Sequence, residues 1–119
     1  MDRLWIKKHY PEVIIKAKKI MLMCDYIGYK LTGMRVIDYS LASRTGVFDI
    51  NNFSFSKEIL EQLDISIDLF SIPRRAGTVV GSLKKDIIDD FQIKGEPVLV
   101  LGSHDQICTL LGAGALDEG

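Results

Sequence analysis

The chain has 119 residues, of which 47% are hydrophobic and 26% charged, a balance that excludes a disordered tail or a fibre. It allows one domain, long enough to bury a core without staples. Fifteen Lys and Arg oppose sixteen Asp and Glu, so the net charge of -1 argues against a general nucleic-acid binder.

A short helix carrying Leu4, Trp5 and Ile6 is expected before Pro11. Pro11 suits the first position of a second helix, where its missing N–H costs nothing. Glu12 in that helix's first turn, with Lys16, Lys18 and Lys19 toward its end, matches the helix dipole. Ile20-Met21-Leu22-Met23 reads as a helix end or a strand. Asp25 is expected to cap the next helix, which Gly33 ends. RVIDYSLASRTGVFDI, residues 35–50, reads as an extended piece, a helical turn near Asp38–Ser43, and a second extended piece through Val47 and Phe48. Asn51-Asn52 is a turn. Ser56 reads as an N-cap, with Phe55 and Leu60 as a hydrophobic staple, for a helix to about Leu63.

Thr78-Val79-Val80 reads as a short strand. Lys84 to Phe91 reads as a helix with Ile87, Ile88 and Phe91 on one face. Pro97-Val98-Leu99-Val100-Leu101 is continuously apolar, as in a strand buried on both sides. A helix from Asp105 to about Leu111 follows the turn at Gly102-Ser103. The class is therefore α/β or α+β.

The basic and acidic side chains are unevenly spread. Residues 1–24 carry six basic and two acidic groups, and residues 84–119 carry three and seven. Solvated helix faces account for a skew this mild. Cys24 and Cys108 sit far apart among apolar neighbours, which fits a reduced, cytoplasmic protein better than a disulfide scaffold. The start, MDRLWIKKHYPE, lacks the apolar core of a signal peptide, and no apolar run approaches the roughly 20 residues that span a membrane.

Chemistry concentrates in Gly102-Ser103-His104-Asp105-Gln106, at the junction of a strand and a helix. Ligands of α/β proteins gather at the carboxyl ends of strands. Glycine there lets a substrate approach the backbone. Two ionisable groups and an amide in succession can bind a polyhydroxylated ligand and handle a proton. The plain structural alternative makes Asp105 an N-cap, His104 a surface residue and Gln106 a helix residue. Other motifs are weaker. No G-x-S-x-G elbow accompanies the His-Asp pair, and His9, His104 and the two cysteines do not make a zinc site. Gly112-Ala113-Gly114 follows a helix and is not a dinucleotide fingerprint, and no G-x-x-x-x-G-K-[ST] loop exists. Arg74-Arg75 reads as a solvated loop.

Five blocks in order resemble the FGGY family of carbohydrate kinases. They are LWIKKHYPEVIIKAKKIMLMCDYIGYKLTG, IDYSLASRTGVFDI, FSFSKEILEQLDI, IPRRAGTVVGSL and EPVLVLGSHDQICTLLGAGALDEG. The first contains D-Y-x-x-Y-x-L-T-G and the last G-x-x-D-Q, and together the blocks cover nearly the whole chain. The resemblance implies an α/β fold, part of a ribonuclease H-like (actin-like ATPase) domain. It implies that residues 1–119 form a single segment, the C-terminal half of the N-terminal kinase domain.

It also implies roles. Asp105 is the catalytic base on the sugar hydroxyl that attacks the γ-phosphate of ATP, and Gln106 and His104 are substrate-binding. A carboxylate at a helix N-terminus orients the hydroxyl and takes its proton late. His104 stands where many members have glycine and looks more like the rhamnulokinase and fuculokinase branches. Ile37 stands where threonine is usual. Asp38, Tyr39, Ser40 and Ser43 match a segment near the cleft, and capping and packing of a turn is the expectation for them.

ATP and Mg2+ are the implied cofactors of the parent enzyme, with their main sites outside this chain. The family's D-x-G-T-[ST] phosphate strand-turn and its second, nucleotide-binding domain are absent from these residues. The implied partner is a sugar or polyol, with no nucleic acid and no membrane. The segment alone is expected to be inactive. The alternative is a non-catalytic remnant or interaction module. An incomplete sheet with an open edge invites self-association, and a homodimer is one expected state.

Overall fold

The computed structural model describes residues 3–115. Residues 1–2 and 116–119, the latter ending the last family block and holding two of the acidic groups counted above, lie outside the described residues, as does the side chain of Leu4. The helices α1 (Arg3–His9) and α2 (Pro11–Lys16) form on either side of Tyr10, with Pro11 opening α2. Lys18 and Lys19 fall beyond α2, contrary to the dipole expectation. Ala17 is already extended, because the chain is drawn off the helix by tertiary bonds. Ile20 N–H donates to the Leu69 carbonyl at 2.7 Å and Lys19 Nζ to the Asp68 carbonyl at 2.6 Å. Residues 20–22 are consequently neither helix nor strand.

The helix α3 (Met23–Thr32) starts two residues before the expected cap. Leu22 occupies the cap position, and Asp25 turns inward instead. Its buried carboxylate accepts the Ser71 hydroxyl, tying α3 to the chain entering the sheet. Gly33 closes α3 in the left-handed region, φ 81°, and donates to the Tyr29 carbonyl. The β-branched pair Val36 and Ile37 then builds β1 (Val36–Asp38), which lies parallel to β4 (Ile72–Arg74) with Ile37 opposite Pro73. Arg74 is thus the last residue of a strand and not part of a loop.

The crossover between these strands holds α4 (Tyr39–Ser43), the hairpin of β2 (Phe48–Asp49) and β3 (Ser54–Phe55), and α5 (Lys57–Gln62). Ser56 caps α5 by accepting Ile59 N–H, as expected. The core sits here: Ile37, Ala42, Val47, Phe55, Leu60, Ile65 and Phe70. Phe55 meets Phe70 at 4.7 Å between ring centres and Phe48 edge-on at 5.6 Å, separations favourable for aromatic pairs.

The rest of the chain forms a second ribbon. The strands β5 (Val79–Ser82) and β6 (Val98–Val100) are antiparallel and flank α6 (Lys85–Asp90), and α7 (Asp105–Gly112) follows β6. The expectation that β6 is buried on both faces is wrong. Val98 is 50% exposed and Val100 nearly as much, while Leu99 faces inward toward α3. A two-stranded antiparallel ribbon has only one covered face, so its residues alternate. Gly28 allows the close approach of α3, since a Cβ there would stand 3.2 Å from Leu99. Phe91 is the C-cap of α6 and is 73% exposed, unlike the half-buried Ile87 and Ile88 with which it was expected to share a face. Both cysteines are exposed free thiols, not buried ones.

The molecule is a slab of 46 × 46 × 22 Å. Its radius of gyration, 16.6 Å, exceeds the roughly 13.5 Å of a compact chain of this length. Among the described residues no helix is long and apolar enough to cross a membrane.

One turn carries a pH dependence. Asp49 accepts the Asn52 side-chain amide and the Asn51 and Asn52 N–H groups, which together hold its carboxyl below its ordinary value. A lowered native value means that the stabilisation is complete above the ordinary aspartate range and is lost as pH falls through the lowered one. The Asn51 and Asn52 amide resonances should therefore titrate below pH 3.8, and Asp49→Asn should abolish that titration.

Candidate active site

The parallel strand β1 ends at Asp38, which is 3% exposed. Its Oδ1 accepts Ser40 N–H at 2.9 Å, Leu41 N–H at 3.2 Å and the Ser40 hydroxyl. Asp38 is thus the N-cap of α4, the structural role expected for this segment. The segment also reaches across the molecule. Ser40 Oγ accepts the backbone N–H of His104 at 2.8 Å and lies 2.9 Å from Ser103 Oγ. The carboxyl ends of β1 and β6 are brought together by this contact, and the Gly102–Gln106 loop is fixed over them.

His104, not Asp105, occupies the cap position of α7, because the chain leaves the extended conformation one residue earlier than a cap at Asp105 requires. Asp105 is the first helical residue. His104 Nδ1 lies 2.9 Å from Asp105 Oδ1 and 3.4 Å from Gln106 N. One nitrogen cannot donate and accept at once, and the shorter contact decides. Nδ1–H donates to the carboxylate, and Gln106 N–H goes to the same Oδ1 at 2.8 Å. The imidazole is largely covered, at 22% side-chain exposure, whereas the Asp105 side chain is 88% exposed. His104 is therefore not a surface residue but an orienting one. Oδ1 of Asp105 is committed to its neighbours, and Oδ2 takes no hydrogen bond among the described residues. The exposed side chain of Gln106 stands beside it. Such a carboxylate, fixed through one oxygen, can accept a ligand hydroxyl through the other.

A cavity of about 250 Å3 opens beside this loop, lined among others by Asp38, Leu99, Gly102 and Ser103. A larger depression of about 690 Å3, lined by Lys18, Lys19, Tyr26, Tyr29 and Arg35 among others, adjoins the start of β1. Neither lining includes His104 or Asp105, and the smaller cavity is the one that reaches the loop, through Gly102 and Ser103. Among the described residues no group of three or more His, Cys, Asp or Glu could hold a metal ion.

The residues expected to form the site lie on one loop and the first turn of α7, and the structure links Asp38 and Ser40 to them. Ser40 and Ser103 are 63 positions apart, and nothing in the local sequence pairs them. The one available signal was a short hydroxyl residue in each of the two blocks expected near the cleft.

Residues 3–112 match the N-terminal domain of the FGGY family of carbohydrate kinases, and the chain belongs to that family. It is 36% identical over 101 residues to a rhamnulokinase of Ligilactobacillus salivarius, covering 85% of this chain and 21% of that protein. It is 30% identical over 116 residues to a xylulose kinase of Bacillus subtilis, covering 98% of this chain and 23% of that one. The crystal structure of a gluconate kinase from Lactobacillus acidophilus superposes with a TM-score of 0.89 at 26% identity, over 94% of this chain and 23% of that one. The fold is accordingly α/β, part of a ribonuclease H-like, actin-like ATPase domain. The chain spans under a quarter of the length of these relatives.

Removing the Ser40 hydroxyl should loosen the loop without unfolding the core, which Ser40 does not join. In Ser40→Ala, amide hydrogen exchange at His104 should quicken about fivefold or more, the equivalent of one hydrogen bond. Unchanged protection at His104 would show that the loop is held by other contacts.

Proposed function

We propose that this chain supplies the acceptor side of an ATP-dependent carbohydrate kinase: the catalytic base and part of the pocket for a ketose or polyol. The observation that carries the reading is the Asp105 carboxylate, with one oxygen held by His104 and Gln106 N–H and the other open. In this reading the segment is the C-terminal half of the family's N-terminal domain.

The chain's own residues do three things. Asp105 Oδ2 accepts the hydroxyl of the sugar and takes its proton as the oxygen becomes a nucleophile. His104 holds the carboxylate in place and disperses its charge through Nδ1–H, and its position on Ser40 keeps the loop from drifting. Gln106 offers an amide that can bond a second hydroxyl of a polyol. The nucleotide with its divalent metal, which the family uses, supplies the phosphoryl group to be transferred. The described residues do not fit that metal, having no cluster of ligands for it, so no step here runs through it. Phosphoryl transfer depends mainly on positioning and charge neutralisation, and the segment alone is therefore inactive.

In a kinase carrying this segment, Asp105→Asn should lower turnover by about a hundredfold or more with little change in thermal stability. Near-normal turnover would remove Asp105 from the mechanism.

A second reading, a module that self-associates, is favoured by the exposed apolar side chains of the β5–β6 ribbon and α7: Val79, Val98, Val100, Ile107, Leu110 and Leu111. Patches of this kind mark interaction surfaces. Light scattering of the purified chain should give a mass that rises with concentration toward a dimer. A clean monomer at high concentration would overturn this second reading.

A further inference from the structure

The hydrogen bonds around Ser40 fix the direction of a hydroxyl that lines the cavity. A serine hydroxyl has one proton to give and two lone pairs to fill. Ser40 gives its proton to Asp38 Oδ1, which also accepts two backbone N–H groups and so acts as an acceptor on every side. One lone pair of Ser40 accepts His104 N–H. The contact between Ser40 Oγ and Ser103 Oγ at 2.9 Å is then left with a single arrangement, in which Ser103 donates and Ser40 accepts.

Ser103 has therefore spent its proton. Its two lone pairs receive no donor among the described residues, and Ser103 lines the cavity of about 250 Å3 next to Gly102. We propose that Ser103 is a substrate-binding residue of fixed polarity, one that accepts a hydrogen bond from a ligand hydroxyl and offers none in return. Such a subsite favours a neutral polyol, which brings its own protons. It disfavours a carboxylate or phosphate at the same point, which would set lone pairs against lone pairs. The polarity is imposed by Asp38, buried and two residues before Ser40, which makes Asp38 a positioning residue for Ser103. The subsite deepens the sugar-kinase reading of the same loop and rests on it.

The test is a titration of the 15N-labelled 119-residue chain with xylitol, and with xylonate as its carboxylate counterpart. Xylitol should shift the amides of Ser103, His104 and Asp105 and bind this loop more tightly than xylonate does. Ser103→Ala should weaken xylitol binding about five- to tenfold, the loss of one hydrogen bond, and Ser103→Thr, which keeps the hydroxyl, should restore it. Xylitol shifts at the loop with the same affinity in Ser103→Ala would overturn the subsite alone. No response to xylitol, either at any amide of this chain or in a kinase carrying it, would overturn the sugar reading and the subsite with it. A ligand-free measurement checks the polarity. The Ser103 hydroxyl proton, held toward Ser40, should exchange slowly and give a nuclear Overhauser contact to the Ser40 β-protons. A Ser103 hydroxyl in fast exchange would overturn the fixed polarity whatever the titration gives.

Discussion

A buried carboxylate needs donors, and Asp38 recruits all of its donors from one short stretch of chain. Two backbone N–H groups and the Ser40 hydroxyl converge on a single oxygen. Burying a charge without such partners is strongly unfavourable, so the end of β1 and the start of α4 have essentially one arrangement available. Everything at the proposed site is built outward from that arrangement. Ser40, once oriented, holds His104 and Ser103, and His104 holds Asp105. The order of dependence runs from a buried carboxylate to an exposed one, the proposed base.

This chain of contacts explains how a carboxylate can be mostly solvent-exposed and still held in one direction. Asp105 lies on a short helix with little covering it. Its direction comes from its own first oxygen, pinned by a neighbour's ring and by a helical N–H group, and not from packing. The core is elsewhere, between the β1–β4 pair and α5, and it contains no member of the His-Asp pair. The packed core and the proposed site thus lie in different parts of the chain.

Much of this was legible in the sequence, for local reasons. Pro11, Gly33 and Ser56 each act within a turn or two of themselves, and each did what its chemistry dictates. The G-S-H-D-Q run stands out in the sequence because it sets two ionisable groups and an amide in succession at a strand–helix junction. The larger failures involve partners distant in sequence. Asp25 looked like a helix cap until Ser71 was seen to claim it. Lys18 and Lys19 looked helical until the bonds from residues 19 and 20 to 68 and 69 drew the chain straight. The apolar run 97–101 looked doubly buried, although periodicity cannot say how many layers will cover a strand. Asp38 and Ser40 were legible as a turn and not as the support of another loop, because hydrogen-bond polarity depends on three-dimensional neighbours.

The parallel pairing of β1 with β4 has a consequence for how the molecule comes into being. Val36 finds its partner only at Ile72, after the whole crossover has been made. At ribosomal rates of about 5–20 residues per second, the first strand waits for seconds before its mate emerges. During that interval the capped turn at Asp38 can form at once, since all its bonds are local. Among the described residues the strand beside it gains its partner only when β4 has been made. The timing of this pairing is therefore set by topology during synthesis.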